Sequence, residues 1–291
     1  MSTPTSAGAA DPFGARLQAA VAARGPVVAG IDPHASLLEA WGLPDTPDSL
    51  RVFARTVLEA VGEDVAAIKP QSAFFERHGS RGVAVLEELL AAARARGVLS
   101  ILDVKRGDIG STMGAYAAAH LRPGAPLEAD AVTLSPYLGA GSLDPAIDLA
   151  LEHGKGAFLL ALTSNPDGPA VQHARDAAGH SVAVTVARHA EARGGGTPGA
   201  GEQGRWSSLG LVVGATVGDA YRELGLATAA PSAPLLAPGF GAQGAGPAEL
   251  SQVFGESAGH VLVSLSRGLL AAGPDPETLR ERARELTAQY R

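Results

Sequence analysis

The feature that most restricts this chain is a repeat. A short apolar run is followed by a segment with helical spacing, about eight times over. The runs lie at residues 26–32, 65–70, 99–104, 129–135, 157–163, 209–216, 235–238 and 260–267. Most are continuously apolar rather than alternating, the pattern of parallel strands buried on both faces. Between them, apolar residues recur three and four apart, as in Leu50, Phe53, Val57, Leu58 and Val61, or Val85, Leu86, Leu89 and Leu90. Helices are predicted at 12–23, 82–96, 143–153, 181–193, 219–224 and 248–254, with two more begun by Thr46-Pro47 and Asp275-Pro276. Both of those pairs place an N-cap side chain before a proline at the first helical position.

Such a count in 291 residues fits an α/β chain forming a single (β/α)8 TIM barrel. A doubly wound open sheet is the second architecture. Both put functional groups where strands end, but the barrel gathers every strand end around one mouth. Asp32, Lys69, Asp103, Lys105, Ser164 and Arg267 all fall at such ends. Residues 1–11 read as a disordered tail before a barrel domain at 12–291. The Gly-rich stretch 194–204 reads as a mobile insertion before a strand, on the face opposite the mouth.

Composition narrows the function classes. The formal net charge of −7 argues against a nucleic-acid surface. The start is small and polar, with no signal-peptide pattern, and no apolar run is long enough to span a bilayer. The chain has no cysteine, which removes disulfides, thiolate metal sites and cysteine nucleophiles and fits a cytoplasmic protein. Its 8 histidines show no ligand spacing, and His34, near a strand end, reads as a solvated or supporting residue.

The chemistry concentrates at 99–112, where an apolar run ends in Asp103, Lys105 and Asp108. Side chains alternate along a strand, so Asp103 and Lys105 share a face. Gly107 ends the strand and leaves Asp108 just beyond it. A structural ion pair and a reactive array fit this spacing equally. The flanking acids keep Lys105 charged, which disfavours a Schiff-base lysine and favours a fixed cation or proton donor.

Residues 239–244 match G-x-G-x-x-G, the dinucleotide fingerprint. The motif comes late, and the next strand ends in Ser266 and Arg267 instead of an acid that would hold a ribose. A barrel explains it better, because the loops after its seventh and eighth strands commonly bind phosphate. The glycine amides, Gln243 and Arg267 are the expected phosphate donors.

With these pieces placed, the chain resembles the orotidine 5′-phosphate decarboxylase family, in the branch carrying D-x-K-R-G-D-I-G-S-T, here Asp103 to Thr112. Supporting matches are Gly30-Ile-Asp32-Pro, Ile68-Lys69-Pro-Gln, Thr163-Ser164-Asn165-Pro, Val213-Gly-Ala-Thr216, Pro238-Gly-Phe-Gly-Ala-Gln243-Gly and Ser266-Arg267-Gly, in the family's order. The resemblance implies a barrel acting as a homodimer, with each site at the interface. It implies conversion of orotidine 5′-phosphate to uridine 5′-phosphate and carbon dioxide, the last step of de novo pyrimidine biosynthesis, without metal or organic cofactor. By position, Lys69, Asp103 and Lys105 would form the catalytic array, with Asp108 and Thr112 supplied by the other subunit. Asp32 and Lys69 would contact ribose hydroxyls, Ser164 the pyrimidine, and Gln243 and Arg267 the phosphate, with Ser266 beside them as a further substrate contact.

Two rivals remain at this point. A magnesium-dependent barrel of the hexulose-phosphate synthase type shares the D-x-K-x-x-D pattern, but its second strand would end in an acid where this chain has Lys69. A non-catalytic nucleotide-phosphate binder would need the phosphate loop and not the array.

Overall fold

The computed structural model describes residues 11–196, 204–241 and 244–291. The expected tail, apart from Asp11, and most of the Gly-rich insertion lie outside them.

Eight parallel strands form one sheet: β1 (Val27–Ile31), β2 (Ala67–Pro70), β3 (Ile101–Arg106), β4 (Ala131–Leu134), β5 (Gly156–Leu162), β6 (Leu209–Val213), β7 (Leu235–Pro238) and β8 (Val261–Leu265). Their order is β2-β1-β8-β7-β6-β5-β4-β3. Isolated parallel bridges, Ile68 to Ser100 and Gln71 to Asp103, join the two ends and close the barrel. The open-sheet alternative is therefore set aside. All eight strands fall on the predicted runs, most of them trimmed at their ends.

The helices form because each has one apolar stripe to bury and a definite start. In Pro47–Val61 the Thr46 hydroxyl accepts the Ser49 N–H at 3.3 Å. The stripe Leu50, Phe53, Val57, Leu58 and Val61 is buried. Ser181 and Asp275 cap Val182–Gly194 and Pro276–Gln289 in the same way. One substantial helix was not predicted: Gly110–Leu121, after β3. It starts on Gly-Ser-Thr and carries few large apolar residues, so its periodicity is weak. Arg267, read at the end of the last strand, instead opens a short helix, Arg267–Leu270.

The apolar core has two layers. The larger lies between barrel and helices, and the smaller fills the barrel. Within the barrel Val28, Ala67, Ile101, Ala131, Phe158, Val212, Leu236 and Leu262 point inward. Phe13 and Leu17, from the helix Phe13–Arg24, plug the lower end. The Phe13 and Phe158 rings meet edge to face, with centroids 6.1 Å apart. Gly156 makes room for this plug, since a Cβ there would lie 2.2 Å from the Phe13 ring. Both flanks of the Gly-rich insertion reach this lower end, where the Gln18 amide donates to the Gly204 carbonyl.

Candidate active site

Strand periodicity turns the barrel's interior row into the site. On β1 the inward positions run Val28, Gly30, then Asp32 just past the strand; on β2, Ala67, Lys69, then Gln71. On β3 they run Ile101, Asp103, Lys105; on β4, Ala131, Thr133; on β8, Leu262, Ser264, then Ser266. Each row passes from apolar at the plugged end to polar at the mouth. These upper residues line a cavity of about 470 Å³, walled also by His34, Phe240 and Arg267.

Lys69 and Asp103 flank the seam where β2 and β3 meet, 5% and 8% exposed. The Lys69 ammonium lies 3.3 Å from Asp103 Oδ2 and 3.7 Å from Asp32 Oδ1. The Lys105 ammonium lies 2.6 Å from Asp103 Oδ1. Charges thus alternate along the wall: Asp32, Lys69, Asp103, Lys105. Burial alone would push the Lys69 pKa down, but the carboxylates of Asp32 and Asp103 hold it above the ordinary lysine value. Burial would likewise push Asp103 up, but Lys69, Lys105 and the donated hydrogen bonds hold it below the usual carboxylate range. Both groups are therefore charged at neutral pH. Asp32 Oδ2 accepts the Ser266 hydroxyl, while Asp32 Oδ1 is buried without a hydrogen-bond partner. A Cβ on Gly30 would lie 2.0 Å from Ser266 Oγ, so only glycine there lets Ser266 reach Asp32.

A model of the orotidine 5′-phosphate decarboxylase / HUMPS family matches residues 25–282. An orotidine 5′-phosphate decarboxylase from Streptomyces coelicolor is 54% identical over 282 residues, 97% of this chain and 98% of the relative. One from Salinispora arenicola is 54% identical over 280 residues, 96% and 97% of the two chains. The chain belongs to the orotidine 5′-phosphate decarboxylase / HUMPS family. Solved structures agree. A provisionally assigned orotidine 5′-phosphate decarboxylase from Streptomyces avermitilis has TM-score 0.90 and 53% identity, covering 99% of this chain and 98% of that one. The Leishmania donovani OMP decarboxylase has TM-score 0.73 and 31% identity, covering 96% and 99%.

Of the residues expected from the family resemblance, Asp32, Lys69, Asp103, Lys105, Ser266 and Arg267 line the one cavity. Arg267 is exposed at its rim, on the first turn after β8. Asp108 and Thr112 do not line it. Asp108 sits on the loop after β3, where its carboxylate accepts the Ile109 N–H at 2.8 Å. Thr112 is exposed in the first turn of Gly110–Leu121. Ser164 is exposed on the loop after β5, outside the lining of this cavity. Gln243 lies outside the described residues. In the glycine loop, the Gly241 and Gly244 amides bond to Ala245 and Gly241 carbonyls at 2.7 and 3.0 Å. Those two expected phosphate donors are engaged within the loop itself.

One local expectation is corrected. Asp103 and Lys105 do meet, but not on a regular strand. Lys105 has φ +46°, and the β3–β4 register shifts between Leu102 and Arg106. Sequence reasoning also passed over Thr133, Gln71 and Ser264, all on the cavity wall. Their signal was available, because each stands two positions beyond an inward residue of its own run. His34, read as a supporting residue, is on the wall against Phe74, with ring centroids 4.1 Å apart.

Proposed function

We propose that this chain decarboxylates orotidine 5′-phosphate to uridine 5′-phosphate, the last step of de novo pyrimidine biosynthesis. The observation that carries the mechanism is the alternating Asp32–Lys69–Asp103–Lys105 row on one wall of a closed barrel. In the reaction the bond from ring carbon to carboxylate breaks, and the electron pair stays on the ring carbon. The Lys105 ammonium, at the mouth and paired to Asp103, stabilises that charge and then donates the proton that forms the new C–H bond. Carbon dioxide leaves uncharged, which relieves its repulsion with Asp103. Asp32 Oδ1, buried and without a hydrogen-bond partner, suits a ribose hydroxyl donor, with the paired Lys69 ammonium beside it. Arg267 suits the phosphate at the rim, and phosphate binding there helps to place the ring. Ser164 takes the pyrimidine edge, and Gln243 joins Arg267 on the phosphate.

The magnesium-dependent alternative fares less well, since Lys69 stands between the carboxylates where a divalent cation would have to bind. Among the described residues no group of three or more acidic or histidine side chains forms a metal cluster.

The site is completed by a second copy of the chain. Asp108 and Thr112 are not among their own cavity's lining, and the same segment carries exposed Ile109 and Tyr116 (63% and 37%). Tyr137 and Leu138, after β4, are 80% and 54% exposed. Large apolar side chains left in water beside polar residues mark an association surface. A homodimer through this face would carry Asp108 and Thr112 into the partner's cavity. No helix among the described residues is long and apolar enough to cross a membrane. We place the protein in the cytoplasm, with a small nucleotide as its substrate and no nucleic-acid or membrane partner.

The deciding experiment is an ultraviolet assay of metal-stripped protein with orotidine 5′-phosphate. Loss of the substrate absorbance is expected in wild type and abolished in Lys105→Ala, which should still bind uridine 5′-phosphate. Near-normal turnover by Lys105→Ala would remove its assigned role. Activity that requires added magnesium would favour the sibling chemistry, and binding without turnover the non-catalytic reading.

A further inference from the structure

Thr133 is 1% exposed, one inward step above Ala131 on β4, and lines the cavity. Its hydroxyl accepts the backbone N–H groups of Val104 at 3.1 Å and Lys105 at 2.9 Å. The same hydroxyl donates to Asp103 Oδ1 at 2.8 Å. A hydroxyl has one proton and two lone pairs, so these three bonds fill its capacity. They also fix its direction. With both lone pairs taken by amides, only the proton remains for Asp103, and Oδ1 must be the acceptor. That atom accepts from the Lys105 ammonium as well.

The backbone that Thr133 grips is unusual. Among the described residues, Lys105 is the one non-glycine residue with positive φ, at +46°. A lysine in the left-handed region is strained and persists where its surroundings over-determine it. Here the regular β3–β4 ladder has lapsed, and the side chain of Thr133 takes the place of a ladder carbonyl for two successive amides.

We propose that Thr133 is a positioning residue for the decarboxylation: its hydroxyl ties the Asp103 carboxylate and the left-handed Lys105 backbone into one unit, holding the ammonium over the reacting carbon. The proposal rests on the assignment of Asp103 and Lys105 as catalytic. The Thr133 hydroxyl spends all three of its hydrogen-bonding positions on Asp103 and the β3 backbone, so its loss should act on turnover and not on substrate affinity.

The test compares Thr133→Val, Thr133→Ser and Lys105→Ala in the full chain, reading kcat, KM for orotidine 5′-phosphate, and Tm. Valine keeps the shape and removes all three hydrogen bonds; serine keeps the hydroxyl. Thr133→Val should lower kcat about ten- to hundredfold, the loss of a hydrogen bond to a charged group, with KM changed by less than about threefold. Thr133→Ser should keep at least about half of kcat. A Thr133→Val enzyme with wild-type kcat, beside an inactive Lys105→Ala, would overturn the role of Thr133 and leave the catalytic assignment standing. An active Lys105→Ala would overturn both. Raised KM at unchanged kcat would make Thr133 a substrate contact instead, against the proposal. Should Thr133→Val fail to fold, Thr133→Ala and Thr133→Ser decide: full kcat in the first, or a tenfold loss in the second, refutes it.

Discussion

Replacing Lys69 by methionine removes one buried charge and keeps most of the length of the side chain. The ammonium lies 3.3 Å from Asp103 and 3.7 Å from Asp32. At an effective dielectric near 20, such separations correspond to gross attractions of about 5 and 4.5 kcal/mol. Taking the lysine out of water offsets much of that gain, but the offset vanishes with the charge only for the lysine. The two carboxylates stay buried, and Asp32 keeps no other cation. Breaking a buried pair from one side costs about 3–5 kcal/mol, and we expect that loss for Lys69→Met near neutral pH. In thermal melts at fixed protein concentration this is a fall of about 5–8 °C for a chain of 291 residues.

The dependence on pH gives a sharper test. In wild type the Asp103 pKa is held low, so its contribution is complete above the unfolded carboxylate value and lost only as pH falls through the lowered folded one. Lys69 is held high, so its contribution is complete below the unfolded lysine value and lost only as pH rises through the raised folded one. Between those limits this cluster gives a flat contribution. In Lys69→Met, Asp103 loses one of the two cations that hold its carboxyl low while burial still pushes it up, so it takes up a proton more readily on going from neutral pH to pH 5. The deficit relative to wild type should therefore shrink on acidification from neutrality. Denaturant titrations at the two pH values measure it. A neutral-pH deficit under about 1 kcal/mol, or one that grows toward pH 5, would refute the assignment of Lys69 as the bridge between Asp32 and Asp103.

Two further outcomes are expected. Arg267→Ala should raise KM about ten- to hundredfold with a smaller change in kcat, as loss of a charge-assisted phosphate contact; an unchanged KM would move the phosphate site away from the β8 rim. Mixed Lys105→Ala and Asp108→Ala chains should recover activity through hybrid dimers that hold one intact site. No recovery, once chain exchange is demonstrated by mass or labelling, would return Asp108 to its own subunit's cavity.

The barrel could be read from the chain because its rule is local. Each buried parallel strand must be apolar on both faces, and each crossover helix must carry one apolar stripe. Both patterns survive in a single sequence. The helix Gly110–Leu121 escaped because its small residues write no stripe. The candidate array was half readable. Asp103 and Lys105 lie two apart, and a period of two announces their meeting. Nothing in sequence spacing places Lys69 against Asp103, 34 positions away, or Ser266 against Asp32, 234 positions away.

Residue order alone thus indicated about eight strands, the shared face of Asp103 and Lys105, and several of the polar residues at the strand ends. Folding in three dimensions settled the rest. Closure at the β2–β3 seam brings Lys69 and Asp103 together. The lapse in the β3 ladder turns Lys105 left-handed. Thr133, an unremarkable residue of an apolar run, comes to hold both ends of that turn. The division has one physical cause. Periodicity is a property of neighbours along the chain, whereas the distance between two charges depends on how distant segments close on one another.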